Sequence, residues 1–163
     1  MPEISKLIED YLAGPTTLRK AVAGMTREQV RARPVPGKWS TLEVVCHLTD
    51  MDVVYADRMK RVAAEDKPEI WNADEERYAA ALAYDQRDVE EELAVLEQTR
   101  KHVARILRAL PAEAFARTAT HRGPNGSETR TLEKYLSLIV GHIPHHTKFI
   151  QEKRRALGLP EGK

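Results

Sequence analysis

Three histidines carry the clearest chemistry in this chain. His142 and His146 stand four residues apart in Gly-His-Ile-Pro-His-His-Thr-Lys-Phe, and His47 lies far upstream in Trp-Ser-Thr-Leu-Glu-Val-Val-Cys-His-Leu. Residues at i and i+4 lie one above the other on a helix, so this pair can aim two imidazoles at one metal ion. Without an ion, two buried imidazoles would repel if charged and would need separate partners if neutral. His47 belongs to a second helix. Three protein ligands from two helices leave coordination positions open, as in a catalytic site rather than a closed structural one. Neutral imidazoles accept zinc, nickel, cobalt or iron.

Neighbouring residues have supporting readings. His145 lies about 100° round the helix from His146 and reads as a residue behind a ligand or at the rim. Glu43, four before His47, either caps a helix or orients the His47 ring. Pro144 between the paired histidines removes a helical hydrogen bond and predicts a kink that opens the site. Cys46 adjoins His47 and so faces another direction, as a buried inert thiol. Of the six histidines, His121 reads as a solvated loop residue and His102 as a surface position on a helix.

Other metal chemistries are excluded by pattern. Glu-x-x-His pairs, which a di-iron carboxylate bundle requires, are absent. The zincin motif fails because residue 143 is isoleucine. No Cys–His or Ser–His–Asp nucleophile arrangement stands out.

The elements that must position these residues are helical. Apolar residues recur at helical spacing over 3–23, with a kink or break expected at Gly14-Pro15. Thr26 and Gln29 form a capping box for a short helix that Pro34 and Pro36 follow. Ser40 and Glu43 open a long helix over 41–64, and its stripe of Val44, His47, Met51 and Val54 points the histidine inward. Residues 65–84 form a long connection holding a short helix near 75–82, which lets the next helix run parallel to the last. A third long helix spans 86–109, and a short one with Pro111 at its first position follows. His121–Glu128 reads as a loop or tight turn. The fourth helix spans 130–156, with Leu132, Tyr135, Ile139, His142, His146 and Phe149 or Ile150 on its inner stripe.

Bulk properties narrow the class. The chain has 163 residues and a net charge of +1, which suits one domain over 1–163 and gives no concentrated basic face for nucleic acid. Lys148, Lys153, Arg154 and Arg155 read as a solvated last helical turn. One cysteine permits no internal disulfide and fits the cytoplasm. The N-terminus is acidic and amphipathic rather than a signal peptide, and no apolar run approaches a membrane span.

Pro-Gly-Lys-Trp-Ser at 36–40, then Glu43, His47 and Leu48, then His-x-x-His-His at 142–146, resemble the DinB-like (YfiT-like) superfamily over essentially the whole chain. The resemblance implies an all-α four-helix bundle of up-down-down-up course, with a long connection between helices two and three. It implies a divalent ion on His47, His142 and His146, zinc or nickel first, with iron, cobalt or manganese also admissible. It implies a homodimer and an enzyme that transfers a low-molecular-weight thiol to an electrophile. A metal-dependent hydrolase, with Asp50 or Asp52 shuttling protons, and a non-catalytic metal-binding dimer are the alternatives. The chain departs from the family pattern at Asp52, where many members carry glutamate, at Phe149, where many carry glutamine, and at Pro144.

Overall fold

The computed structural model describes residues 2–162, so Met1 and Lys163 of the expected domain lie outside the described residues. In chain order the elements are α1 (Pro2–Val22), α2 (Arg27–Arg31), α3 (Thr41–Ala64), β1 (Glu69–Trp71), α4 (Glu75–Ala81), α5 (Val89–Ala109), β2 (Thr118–Gly123), β3 (Gly126–Thr131) and α6 (Leu132–Ala156). Single 3-10 turns at Tyr84–Gln86 and Ala112–Ala116 precede α5 and β2. The four long helices form a bundle in which α1 and α3 each pack against both α5 and α6. No helix among the described residues is long and apolar enough to cross a membrane.

Local chemistry sets the helix starts. The Ser40 hydroxyl accepts from the Glu43 N–H at 3.2 Å, and the Glu43 carboxylate accepts from the Ser40 N–H at 2.7 Å. Thr26 and Gln29 repeat this reciprocal cap on α2. Each cap satisfies backbone donors that the first turn leaves orphaned. Tyr78 and Ala79 of α4 pack on Leu42 and Cys46 of α3 and on Tyr84, so the connection after β1 is docked on the bundle.

Two expectations need correction. The chain is not wholly helical: a sheet of order β1-β2-β3 pairs β1 parallel to β2 and β2 antiparallel to β3. The stretch read as a loop is the centre of a hairpin closed by Pro124-Asn125 between Gly123 and Gly126. Its strands carry β-branched Thr118, Thr120, Thr129 and Thr131, and Ala119 and His121 face inward. Ala119 of β2 and Ile70 of β1 join the core formed by Val62, Leu132 and Tyr135. The second correction concerns the C-terminal cations. Lys148 and Arg155 are exposed, but Lys153 and Arg154 are buried. Arg154 donates to the carbonyls of Ala21, Ala23 and Pro160, tying the end of α6 to the end of α1.

The helix α1 runs unbroken through Gly14-Pro15. Arg100 of α5, fully buried, explains both residues. Proline at 15 has no N–H for the Tyr11 carbonyl, and Arg100 donates to that carbonyl instead at 2.7 Å. A Cβ on residue 14 would stand 2.9 Å from the Arg100 Cζ, closer still to its Nη1, and 3.0 Å from Ile143. Replacing glycine by alanine in mid-helix ordinarily stabilises by about 0.5–1 kcal/mol. Here Gly14→Ala is expected to lower stability, read as a fall in the urea unfolding midpoint; an unchanged or raised midpoint would remove the steric account of Gly14.

Candidate metal centre

His47 comes from the first half of α3, and His142 and His146 come from the middle of α6. The ring centroids are 5.0 Å apart for His47 and His142, 4.7 Å for His47 and His146, and 4.6 Å for His142 and His146. The Nε2 atoms of His47 and His142 approach to 3.1 Å. One nitrogen from each ring lies within 4.8 Å of the others. Nitrogens about 2.0–2.1 Å from a shared tetrahedral ion sit roughly 3.4 Å apart, so the three fit one ion. The helix does not break at Pro144: α6 continues to Ala156, and the i, i+4 pair keeps its shared side.

The rings are held by packing rather than by carboxylates. Trp39 lies 5.2 Å from His47, while His145 and Phe149 lie 5.1 and 5.6 Å from His146. The Nδ1 atoms of all three histidines are buried with no hydrogen-bond partner among the described residues. Burial holds the His47 imidazolium down to about 4. Burial, then the neighbouring His146 and His47, holds His142 down to about 3, and burial, then His47 and His145, holds His146 to about 3. All three are therefore neutral near pH 7, with lone pairs available to a cation.

The flanking residues have distinct partners. His145 is exposed and meets the His146 and Phe149 rings edge to face, a rim position. Glu43 is used by the Ser40 cap and by Arg33, which grips it through two nitrogens, and orients no imidazole. Asp52 is fully buried in a two-pronged ion pair with Arg100, each contact 2.8 Å. Asp50 is bound through both oxygens by Arg87, at 3.0 Å each, and Arg87 also holds Glu92. Both aspartates are thus held by arginines, Asp50 by Arg87 and Asp52 by Arg100. Cys46 is buried and inert, its thiol pushed by burial up to about 12. His102 is exposed as expected. His121 is buried on β2, its Nδ1 3.0 Å from the Tyr135 hydroxyl, so the solvated reading is corrected.

Sequence reasoning missed Glu75, the first residue of α4. Its Oε2 lies 3.9 Å from the His47 Nε2. No periodic signal marks it, since α4 has no buried residue; only its place in an acidic first turn set it apart. Glu75 and His146 line one mouth of about 300 Å³, with Trp39, Phe149, Lys38 and Lys153. Burial lowers the Lys153 ammonium, whose Nζ donates to the Phe149 carbonyl at 3.2 Å.

A family model described as the DinB superfamily matches residues 11–150. The chain belongs to the DinB superfamily. Among its superfamily relatives, the Bacillus subtilis protein named "Putative metal-dependent hydrolase YfiT" is 32% identical over 144 residues, 88% of this chain and 80% of that protein. A Bacillus licheniformis protein with the same description is 29% identical over 156 residues, 96% of this chain and 88% of its own. The solved structure of Bacillus subtilis YfiT, described as having "an unusual four-helix bundle topology", matches this DinB-superfamily chain with a TM-score of 0.89 at 30% identity. That match covers 98% of this chain and 90% of YfiT.

The depressed histidines make metal-free stability depend on pH. As pH falls below the ordinary histidine range near 6.5, the unfolded chain takes up protons that the folded cluster refuses until about 4 to 3. Stability is therefore full above about pH 6.5 and declines toward acid. The melting temperature of the metal-free protein should fall between about pH 7.5 and 5, and the slope should flatten in His142→Gln/His146→Gln. Equal slopes in both proteins would contradict the neutral cluster.

Proposed function

We propose that this chain is a metal-dependent hydrolase whose divalent ion is held by His47, His142 and His146. The observation that carries the reading is the convergence of three neutral imidazoles beside an open mouth. Relatives named as metal-dependent hydrolases support it. When bound, the ion supplies Lewis acidity that polarises a carbonyl and activates water near neutral pH. The protein's part is to present three aligned donors. Trp39 and Phe149 shield two of their rings, while Lys38 and Lys153 bring positive charge to a mouth that also holds acidic residues. Zinc or nickel suits this donor set, and iron, cobalt or manganese is compatible with it.

Transfer of a low-molecular-weight thiol to an electrophile is the competing outcome. The same charge would favour a thiolate, but neither the relatives' names nor a residue of the mouth singles it out. The up-down-down-up course belongs to the proposal and is supported by ladders of contacts. Arg19 of α1 meets Glu90 and Glu97 early in α5, whereas Glu9 meets Arg108 near its end, as antiparallel neighbours would. Asp52, beyond His47 on α3, shares Arg100 with Ile139, which precedes His142 on α6. A homodimer, carried by the family resemblance, and a cytoplasmic location, which the single cysteine suits, are part of the same reading.

Protein purified without added metal should contain about one divalent ion per chain, by elemental analysis. It should hydrolyse members of an ester and amide panel in a chelator-sensitive manner. His142→Ala and His146→Ala should lose both ion and activity. Full metal content in these variants would end the three-histidine reading. Turnover only when a thiol and an electrophile are supplied together would replace hydrolysis by transfer.

A further inference from the structure

The carboxylates around the centre are not equivalent. Glu43, Asp50 and Asp52 are each bonded to an arginine. Glu75 has no ion pair with lysine or arginine among the described residues, and its partner within 4 Å is the His47 imidazole. Its position follows from how α4 is docked. Glu75, Tyr78 and Ala79 share one face at i, i+3 and i+4. Tyr78 and Ala79 rest on Leu42 and Cys46 of α3, and Cys46 immediately precedes His47 on that helix. Seating that face aims the Glu75 carboxylate at the ring following Cys46.

The distance suits a shared ion. A nitrogen and a carboxylate oxygen, each about 2.0–2.2 Å from one cation, lie roughly 3–4 Å apart, and the His47 Nε2 and Glu75 Oε2 are 3.9 Å apart. Glu75 does not belong to the tight cluster that the three histidines form. Its side chain is 53% exposed, against 0% for His47. It therefore stands on the solvent side of the centre, where an incoming ligand must arrive, and it also lines the mouth.

Resting on the three-histidine reading above, we propose that Glu75 is an exchangeable fourth ligand. Its carboxylate coordinates the ion from the solvent side in the absence of substrate and yields that position when substrate binds. The helix α4 is thus the element through which the long connection reaches the centre.

Cobalt(II) is a suitable probe, because its visible absorption reports ligand number and type. The full chain, Glu75→Ala, Glu75→Gln and His146→Ala would each be loaded with cobalt, after circular dichroism confirms the fold. Both Glu75 variants should show an altered visible spectrum and cobalt affinity lowered by about tenfold or more in chelator competition. Added acetate should move the Glu75→Ala spectrum back toward that of the parent. An affinity loss without spectral change would reduce Glu75 to a nearby charge and overturn its role as ligand. An unchanged spectrum and affinity, with cobalt binding lost in His146→Ala, would overturn this inference alone. Cobalt binding retained in His146→Ala would instead remove the three-histidine centre on which it rests.

Discussion

Arg100 is the residue on which the bundle depends. It arises from α5, binds Asp52 of α3 through two nitrogens, and donates to the backbone carbonyls of Tyr11 in α1 and Ile139 in α6. One buried guanidinium therefore touches all four long helices at a single level, with its cation 4.5 Å from the Tyr11 ring centroid. Taking such a charge out of water costs several kcal/mol, and only a full set of acceptors offsets it. Removing one partner of a buried pair typically costs about 3–5 kcal/mol, because the remaining charge is stranded. An apolar core tolerates sliding of one helix along another. A planar fork with fixed acceptors does not.

That level lies beside the histidine centre. Asp52 follows His47 on α3, and Ile139 precedes His142 on α6. Holding Asp52 and Ile139 on one guanidinium fixes the relative height of the two helices that supply the imidazoles. The apolar packing divides around the same point. Tyr11 and Ile139 belong to the cluster that extends to the sheet, and Ile143, Leu48 and Leu96 belong to the cluster beneath the histidines. Gly14-Pro15 in α1 completes the arrangement by leaving room for the guanidinium and a carbonyl for it to bond.

The centre is an electrostatic complement to this clamp. The clamp buries a cation with an anion to match it. The histidine cluster buries three bases with no acid against their Nδ1 atoms, and burial keeps all three neutral. A neutral, donor-rich pocket next to a satisfied ion pair favours an external cation without disturbing the fold. The lysines and acidic residues at its mouth lie apart from the Arg100 clamp that holds the helices together.

Local signals were legible in the sequence because their physics is local. The caps at Thr26 and Ser40, the four long helices, the short helix near residue 75 and the inward stripes of α3 and α6 all rest on contacts within a turn or two. The common direction of His47, His142 and His146 followed from those stripes. The family resemblance, which the family match shows to be membership, pointed to the same residues. The rest required distant parts of the chain to meet. Periodicity could not show that Asp52 would face Arg100, that Arg87 would take Asp50, or that Lys153 and Arg154 would be buried. Nor could it show that β1 would find a partner about fifty residues on, as the register of Ile70 with His121 records, and so bury a histidine that reads as solvated. Glu75 is the clearest case. Nothing in its own helix distinguishes it from Glu76. Only the seating of α4 on α3 selects which carboxylate meets His47. Spacing along one helix determined which side chains could act together, and long-range packing decided which of the charged groups were left free to do so.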